Sequence, residues 1–181
     1  MCAELVKRFI ESLRITEDGS LVSDGKRFSF TVPAFLVSSL KLIPEERVGR
    51  AMVEPIYRKC YSDYGAELAQ ENKELSLKET VELLLNSFTC YGWGRGELLH
   101  CDEEKLEVSF RVYASVYGEE YANYFKGKGG APYPVCPYGY AVEGILNVFA
   151  ERKGEKKTFS SQEVKCVAKG DEYCEFIVKE L

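Results

Sequence analysis

The chain has one histidine, His100, among its 181 residues. That excludes three-histidine zinc sites and the histidine pair of zinc proteases. It leaves at most one partner for any Cys–His or Ser–His nucleophile pair. Long apolar runs are missing too. The longest, such as Leu83-Leu84-Leu85, fall far short of the roughly 18 residues that a membrane span needs. A basic excess is also lacking. The net charge is −5, and phosphate binding calls for a dense basic surface, so neither nucleic acid nor membrane is expected as a partner. The N-terminal MCAELVKRFIESL carries charges every few residues and lacks the apolar core of a signal peptide. The expectation is a cytoplasmic protein, where thiols stay reduced. Seven cysteines are present, an odd number that cannot all pair within the chain.

What is present reads as a single α+β domain over 1–181, with an N-terminal helix and hairpin (1–32) and a core (33–181) ending in a metal lobe. Leu5, Val6, Phe9, Ile10 and Leu13 have helical spacing. Asp24-Gly25, between alternating apolar runs, signals a two-residue hairpin. Residues 34–69 are helical in pattern, with Pro44 opening a helix and Pro55 expected to kink or divide it. Ser76 and Glu79 form a capping-box signature before Val81, Leu84, Leu85 and Phe88. A second hairpin turns around Asp102–Glu104, and a short tyrosine-rich helix follows. Pro137 then opens a helix, and a third hairpin turns at Gly170-Asp171. Hairpins imply antiparallel pairing, so an antiparallel sheet packed with a helical layer is expected, not a doubly wound parallel sheet.

Two glycine-rich stretches carry no nucleotide site. Gly92-Trp93-Gly94-Arg95-Gly96 follows a helix and precedes a strand, the reverse of a dinucleotide fingerprint. Lys126–Gly130 lacks the closing Gly-Lys-Ser/Thr of a phosphate loop. The cysteines are more informative. Cys166 and Cys174 are equidistant from Gly170, which places them across the hairpin from each other, close enough for a shared metal or a disulfide. Cys136 precedes the Pro137 helix, where the helix terminus favours a thiolate. Three cysteines and one carboxylate can close a tetrahedral zinc site. Buried apolar cysteines account equally well for the spacing alone.

The segments CVAKGDEYCEFIV (166–178) and PVCPYGYAVEGILNVF (134–149) resemble the C-terminal signature of the 4-vinyl reductase, or hydrocarbon-binding, domain family. That resemblance implies the ligand-binding fold shared with nitric-oxide-signalling and Golgi-transport domains. It also implies zinc held by three cysteines and a glutamate three residues before the middle one, here Cys136, Cys166, Cys174 and Glu163. Such a zinc is structural, because four protein ligands leave no open position. On a regular strand Glu163 and Cys166 face opposite sides, so Glu163 can join them only if a loop or bulge intervenes.

Aromatic residues cluster between Phe88 and Tyr140. Apolar walls with a few hydroxyl handles suit a small hydrophobic or aromatic ligand. The family's pocket lies between helices and sheet beside the zinc lobe, which nominates Trp93, Tyr113, Tyr117 and Tyr140. The phenol sensors of the family also use a histidine, for which His100 offers no equivalent. The expected function is a small-molecule sensor or binding module, a homodimer through its early helices and not an enzyme. The alternatives are a role in tetrapyrrole vinyl reduction and an assembly adaptor of the Golgi-tethering kind.

Overall fold

The computed structural model describes residues 2–16, 21–23, 26–28, 46–126 and 136–181. The elements run α1 (Cys2–Ser12), β1 (Arg14–Ile15), β2 (Leu21–Ser23), β3 (Lys26–Phe28), α2 (Glu46–Glu71), α3 (Leu77–Cys90), β4 (Arg95–Asp102), β5 (Glu107–Tyr113), α4 (Val116–Phe125), α5 (Tyr138–Arg152), β6 (Phe159–Lys165) and β7 (Cys174–Glu180). Strands β4–β7 form one antiparallel sheet in the order β4-β5-β7-β6, and β1–β3 form a separate small meander. The expected α+β class with antiparallel pairing is therefore what the chain adopts.

The first hairpin pairs Ser23 with Lys26, which leaves two residues for its turn. Asp24-Gly25 themselves, like Pro44 and most of the Lys126–Pro134 loop, lie outside the described residues. Helix α2 runs unbroken through Pro55 for 26 residues, so the expected division does not occur. A proline removes a single hydrogen bond from its helix, and packing against α5 along the length of α2 compensates. That packing brings backbones together. A Cβ added at Gly65 would stand 1.8 Å from the Ala141 carbonyl oxygen, and one at Gly144 would stand 1.9 Å from that of Ser62. Only hydrogen fits at either place.

Helix α3 begins with the full capping box. The Glu79 N–H donates to Ser76 Oγ at 3.3 Å, and the Ser76 N–H donates to Glu79 Oε2 at 2.9 Å. Its buried face, Leu77, Val81, Leu84, Leu85 and Phe88, has the predicted helical spacing. In β5, Val108, Phe110 and Val112 point inward and alternate with half-exposed residues. They pair with Val178, Phe176 and Cys174 of β7. Phe110 and Phe176 stack at 5.0 Å, each ring contributing about 2 kcal/mol by burial. This inner face sets the position of Cys174 as the last inward residue of its row.

A candidate metal centre beside an aromatic wall

The third hairpin departs from a plain turn, and the departure builds the site. After β6 the chain enters a short 3-10 turn, Val167–Lys169, closed by Gly170 at φ +99°. Glycine takes that left-handed conformation without a steric penalty. Cys166 is fixed from both sides. Its N–H donates to Asp171 Oδ2 at 2.8 Å, and its carbonyl accepts the Lys169 N–H at 2.9 Å. The pairing of β6 with β7 shifts register between Glu163 and Lys165. This is the bulge that the sequence required before Glu163 and Cys166 could share a side.

Cys136 enters from the start of α5, Glu163 and Cys166 from β6 and its turn, and Cys174 from the start of β7. The Cys136 sulfur lies 3.9 Å from that of Cys166 and 4.0 Å from that of Cys174. One ligand atom from each of the four residues falls within 4.8 Å of all the others. A tetrahedral ion with bonds of ~2.3 Å to sulfur sets sulfurs about 3.8 Å apart. All three cysteines are buried. Glu163 Oε1 is also buried and meets no hydrogen-bond partner among the described residues. A buried carboxyl oxygen without a partner costs stability unless something binds it. The cluster could hold a metal ion, and its distances, donor types and unpartnered oxygen all fit one.

Its electrostatics agree. Hydrogen bonding with Cys166 and Cys174, then burial, raises the Cys136 thiol well above its ordinary value. Cys166 is also raised. Its hydrogen bond with Cys136 lowers it, but the bond with Cys174 and burial outweigh that. Hydrogen bonds from Cys136 and Cys166 hold Cys174 down to about 3. Burial, then repulsion from Cys174, pushes Glu163 up to about 9. Crowded together out of water, these four acids oppose one another's ionisation, because each negative charge resists the next. A divalent cation at the centre would favour releasing the remaining protons.

Of the nominated ligand residues, Trp93 and Tyr117 come together. Tyr61 joins them, with its ring 5.7 Å from Trp93 and 6.3 Å from Tyr117, and its hydroxyl bonded to that of Tyr117. Phe88 stacks on Trp93 at 6.0 Å, and Tyr138 meets Tyr117 edge-on at 5.7 Å. Burial pushes the Tyr57 hydroxyl up to about 12, and burial also raises those of Tyr61 and Tyr117. The wall therefore presents neutral phenols. Tyr140 sits elsewhere on α5, bonded to Glu54 at 3.1 Å and covered by the Arg58 guanidinium at 4.5 Å. Tyr113 lies on the opposite sheet face, where it donates to Glu97 at 2.7 Å and packs on Tyr173. Strand alternation puts it there, one residue after inward Val112. His100 is exposed on β4.

Sequence reasoning missed Tyr57 and Tyr61. Their i, i+4 spacing on one helix was the available signal. It also missed the buried Glu143, which accepts two bonds from Arg58 of α2, at 2.8 and 2.6 Å, and one from the Ser161 N–H of β6 at 2.6 Å. That carboxylate ties α2 and the metal-bearing strand to α5.

These features define an α+β domain with a helix-covered antiparallel sheet and a cysteine cluster at one end. The same fold occurs in the phenol-responsive sensory domain of the transcription activator PoxR. That domain is 20% identical over 99% of this chain and 90% of its own, with a TM-score of 0.73. It also occurs in a trafficking protein particle complex subunit 3 from Naegleria fowleri, covalently bound to palmitic acid, which is 14% identical over 82% of this chain and 89% of its own, with a TM-score of 0.51. A vinyl-4-reductase family protein from Methanocaldococcus jannaschii is similar at a TM-score of 0.48, with 18% identity over 87% of this chain and 85% of its own. An aromatic-sensing domain and a trafficking subunit are both among the folds that the sequence resemblance implied. No family model matches the chain, and no curated protein matches it.

Proposed function

We propose that this chain is a small-molecule-binding sensor domain stapled by a structural zinc at Cys136, Glu163, Cys166 and Cys174. The observation that carries the reading is the convergence of three buried sulfurs and one unpartnered carboxyl oxygen from three separate segments. Zinc suits a closed thiolate-rich set of four, and it would tie the β6–β7 hairpin to the start of α5. The ligand is small, neutral and hydrophobic or aromatic, and it packs against the wall of Trp93, Tyr117, Tyr61 and Tyr57. The raised tyrosine pKa values disfavour an anion there. Tyr140 serves this wall indirectly, by bracing α2 through Glu54 and Arg58. The domain spans the whole chain, works in the cytoplasm where its thiols stay reduced, and pairs as a homodimer through its early helices. Among the described residues no helix is long and apolar enough to cross a membrane.

Native mass spectrometry of chain purified without added metal tests all parts at once. The expected spectrum shows a dimer, with one zinc per chain and adducts of added 1-naphthol. A metal-free chain that refuses zinc, or one that binds zinc but no aromatic compound, contradicts the corresponding part.

A further inference from the structure

We infer that Glu143 is a positioning residue for the metal centre: through the Ser161 N–H it fixes the stretch of β6 that aims Glu163 at the three sulfurs. The inference deepens the metal reading above and rests on it. Strand β6 is an edge of the sheet, in the order β4-β5-β7-β6. An edge strand leaves every second backbone N–H without a strand partner. At Ser161 that N–H turns to helix α5 and donates to Glu143 Oε1 at 2.6 Å. The same residue meets α5 one turn earlier. A Cβ added at Gly139 would stand 1.7 Å from Ser161 Oγ, so only a glycine admits the side chain there. Residues 139 and 143 share a helix face. Together they grip Ser161 by its backbone and its side chain, on the helix whose start carries Cys136.

Side chains two apart on a strand point the same way. Phe159, Ser161 and Glu163 therefore form one inward row. Phe159 is buried in the core, Ser161 lies against α5, and Glu163 reaches the cysteines. Glu163 Oε1 has no hydrogen-bond partner among the described residues, so the strand that carries it sets its aim. The register shift follows at once, between Glu163 and Lys165. A bulge loosens the ladder locally, and the bond at Ser161 supplies a fixed point just before it. Zinc takes a carboxylate oxygen at ~2.0–2.2 Å, so a small slide of β6 along α5 carries the oxygen out of range.

Glu143 is suited to the task. It is 3% exposed, and a carboxylate so buried needs a paired charge. Arg58 of α2 supplies it through two bonds, at 2.8 and 2.6 Å. The same guanidinium lies 3.7 Å from Glu54 and 4.5 Å from the centre of the Tyr140 ring, which holds it in place behind Glu143. The ion pair alone would join α2 to α5. The third bond goes to β6, two residues before a metal donor, and no tie between helices calls for it.

The test is a double-mutant cycle on the full-length chain, stripped by chelation and titrated with zinc against a chromophoric chelator, with folding followed by circular dichroism. Glu143→Leu is expected to weaken zinc binding roughly tenfold, the usual effect of removing an outer-shell partner. In a Glu163→Ala background, which retains the three sulfurs, the same substitution is expected to leave zinc affinity unchanged, because the oxygen it aims is gone. Glu143→Gln keeps an acceptor for the Ser161 N–H and is expected to hold zinc nearly as well as the parent, although it melts lower for want of the charge. Should Glu143→Leu not fold, the double variant Arg58→Met with Glu143→Leu removes the stranded cation and takes its place in the cycle. Equal losses in both backgrounds make Glu143 a support of the fold alone and overturn the inference, as does unchanged affinity in Glu143→Leu. A tenfold loss in Glu143→Gln assigns the effect to the charge and overturns the route through Ser161. A parent chain that binds no zinc overturns the metal reading and this inference together, whereas equal losses in a parent that does bind zinc overturn this inference alone.

Discussion

The cysteine cluster and the aromatic wall lie side by side in one core, yet they relate to their sequences differently. The cluster is made of residues with narrow chemistry. Thiols and a carboxyl that converge out of water are costly unless a cation joins them. The wall is made of residues that an ordinary core also uses. Phe88, Tyr117 and Tyr138 pack as interior aromatics do whether or not a ligand ever touches them. A chemically demanding site therefore announces itself, and a hydrophobic one blends with the packing around it.

The sharpest way to break that contrast is Cys174→Ala. It should reduce bound metal from one per chain to none. Loss of a metal-tied hairpin should cost about 4 kcal/mol, or a fall in melting temperature of roughly 10 °C. Elemental analysis and a thermal melt read the two effects. If melting falls while metal content stays at one, the cysteine is core packing and the contrast fails.

Gly65→Ala probes the helical side without touching the cluster. Its new methyl group meets a backbone carbonyl that cannot move aside cheaply. The expected loss is about 3 kcal/mol in denaturant unfolding, with metal stoichiometry retained. Loss of metal in this variant would show that the α2–α5 seam and the metal lobe are one unit.

The differing legibility follows from particular residues. Helix α3 was readable because Ser76, Glu79 and the Leu77–Phe88 stripe are local signals that tertiary packing reinforces. The cysteines were readable from their symmetry about Gly170, and the structure keeps that symmetry by pairing Lys165 with Glu175. Glu163 was readable only through family resemblance, since strand alternation alone points it away. The bulge that brings it round leaves no trace in the residue types of β6. Of the residues nominated for the pocket, Trp93 and Tyr117 both meet Tyr61, whereas Tyr113 lies on the other face of the sheet. A tyrosine that ends a strand looks the same in sequence whichever sheet face it takes, and the odd-numbered row of β5 turned out to face outward. Tyr61 and Glu143 escaped notice because their roles depend on helix packing that joins residues 56 and 85 positions apart.

A smaller effect separates wall from mere core. Tyr61→Phe removes one hydroxyl from the Tyr61–Tyr117 pair and should cost about 1 kcal/mol of stability. If the pair faces a ligand, affinity for 1-naphthol by calorimetry should change several-fold in the same variant. Unchanged affinity would return the pair to ordinary packing. The smallest effect is expected at Tyr113→Phe, which loses the bond to Glu97 on the outer sheet face. Metal content, naphthol affinity and melting temperature should all stay near the parent values. A loss of naphthol binding there would move the ligand to the other side of the sheet.

The central claim is the donor set itself, and X-ray absorption at the zinc edge of the metal-loaded chain measures it most directly. The predicted first shell has three sulfurs at about 2.3 Å and one oxygen at about 2.0 Å, with the oxygen lost or replaced in Glu163→Ala. A shell of four sulfurs, or one dominated by nitrogen and oxygen, would contradict it.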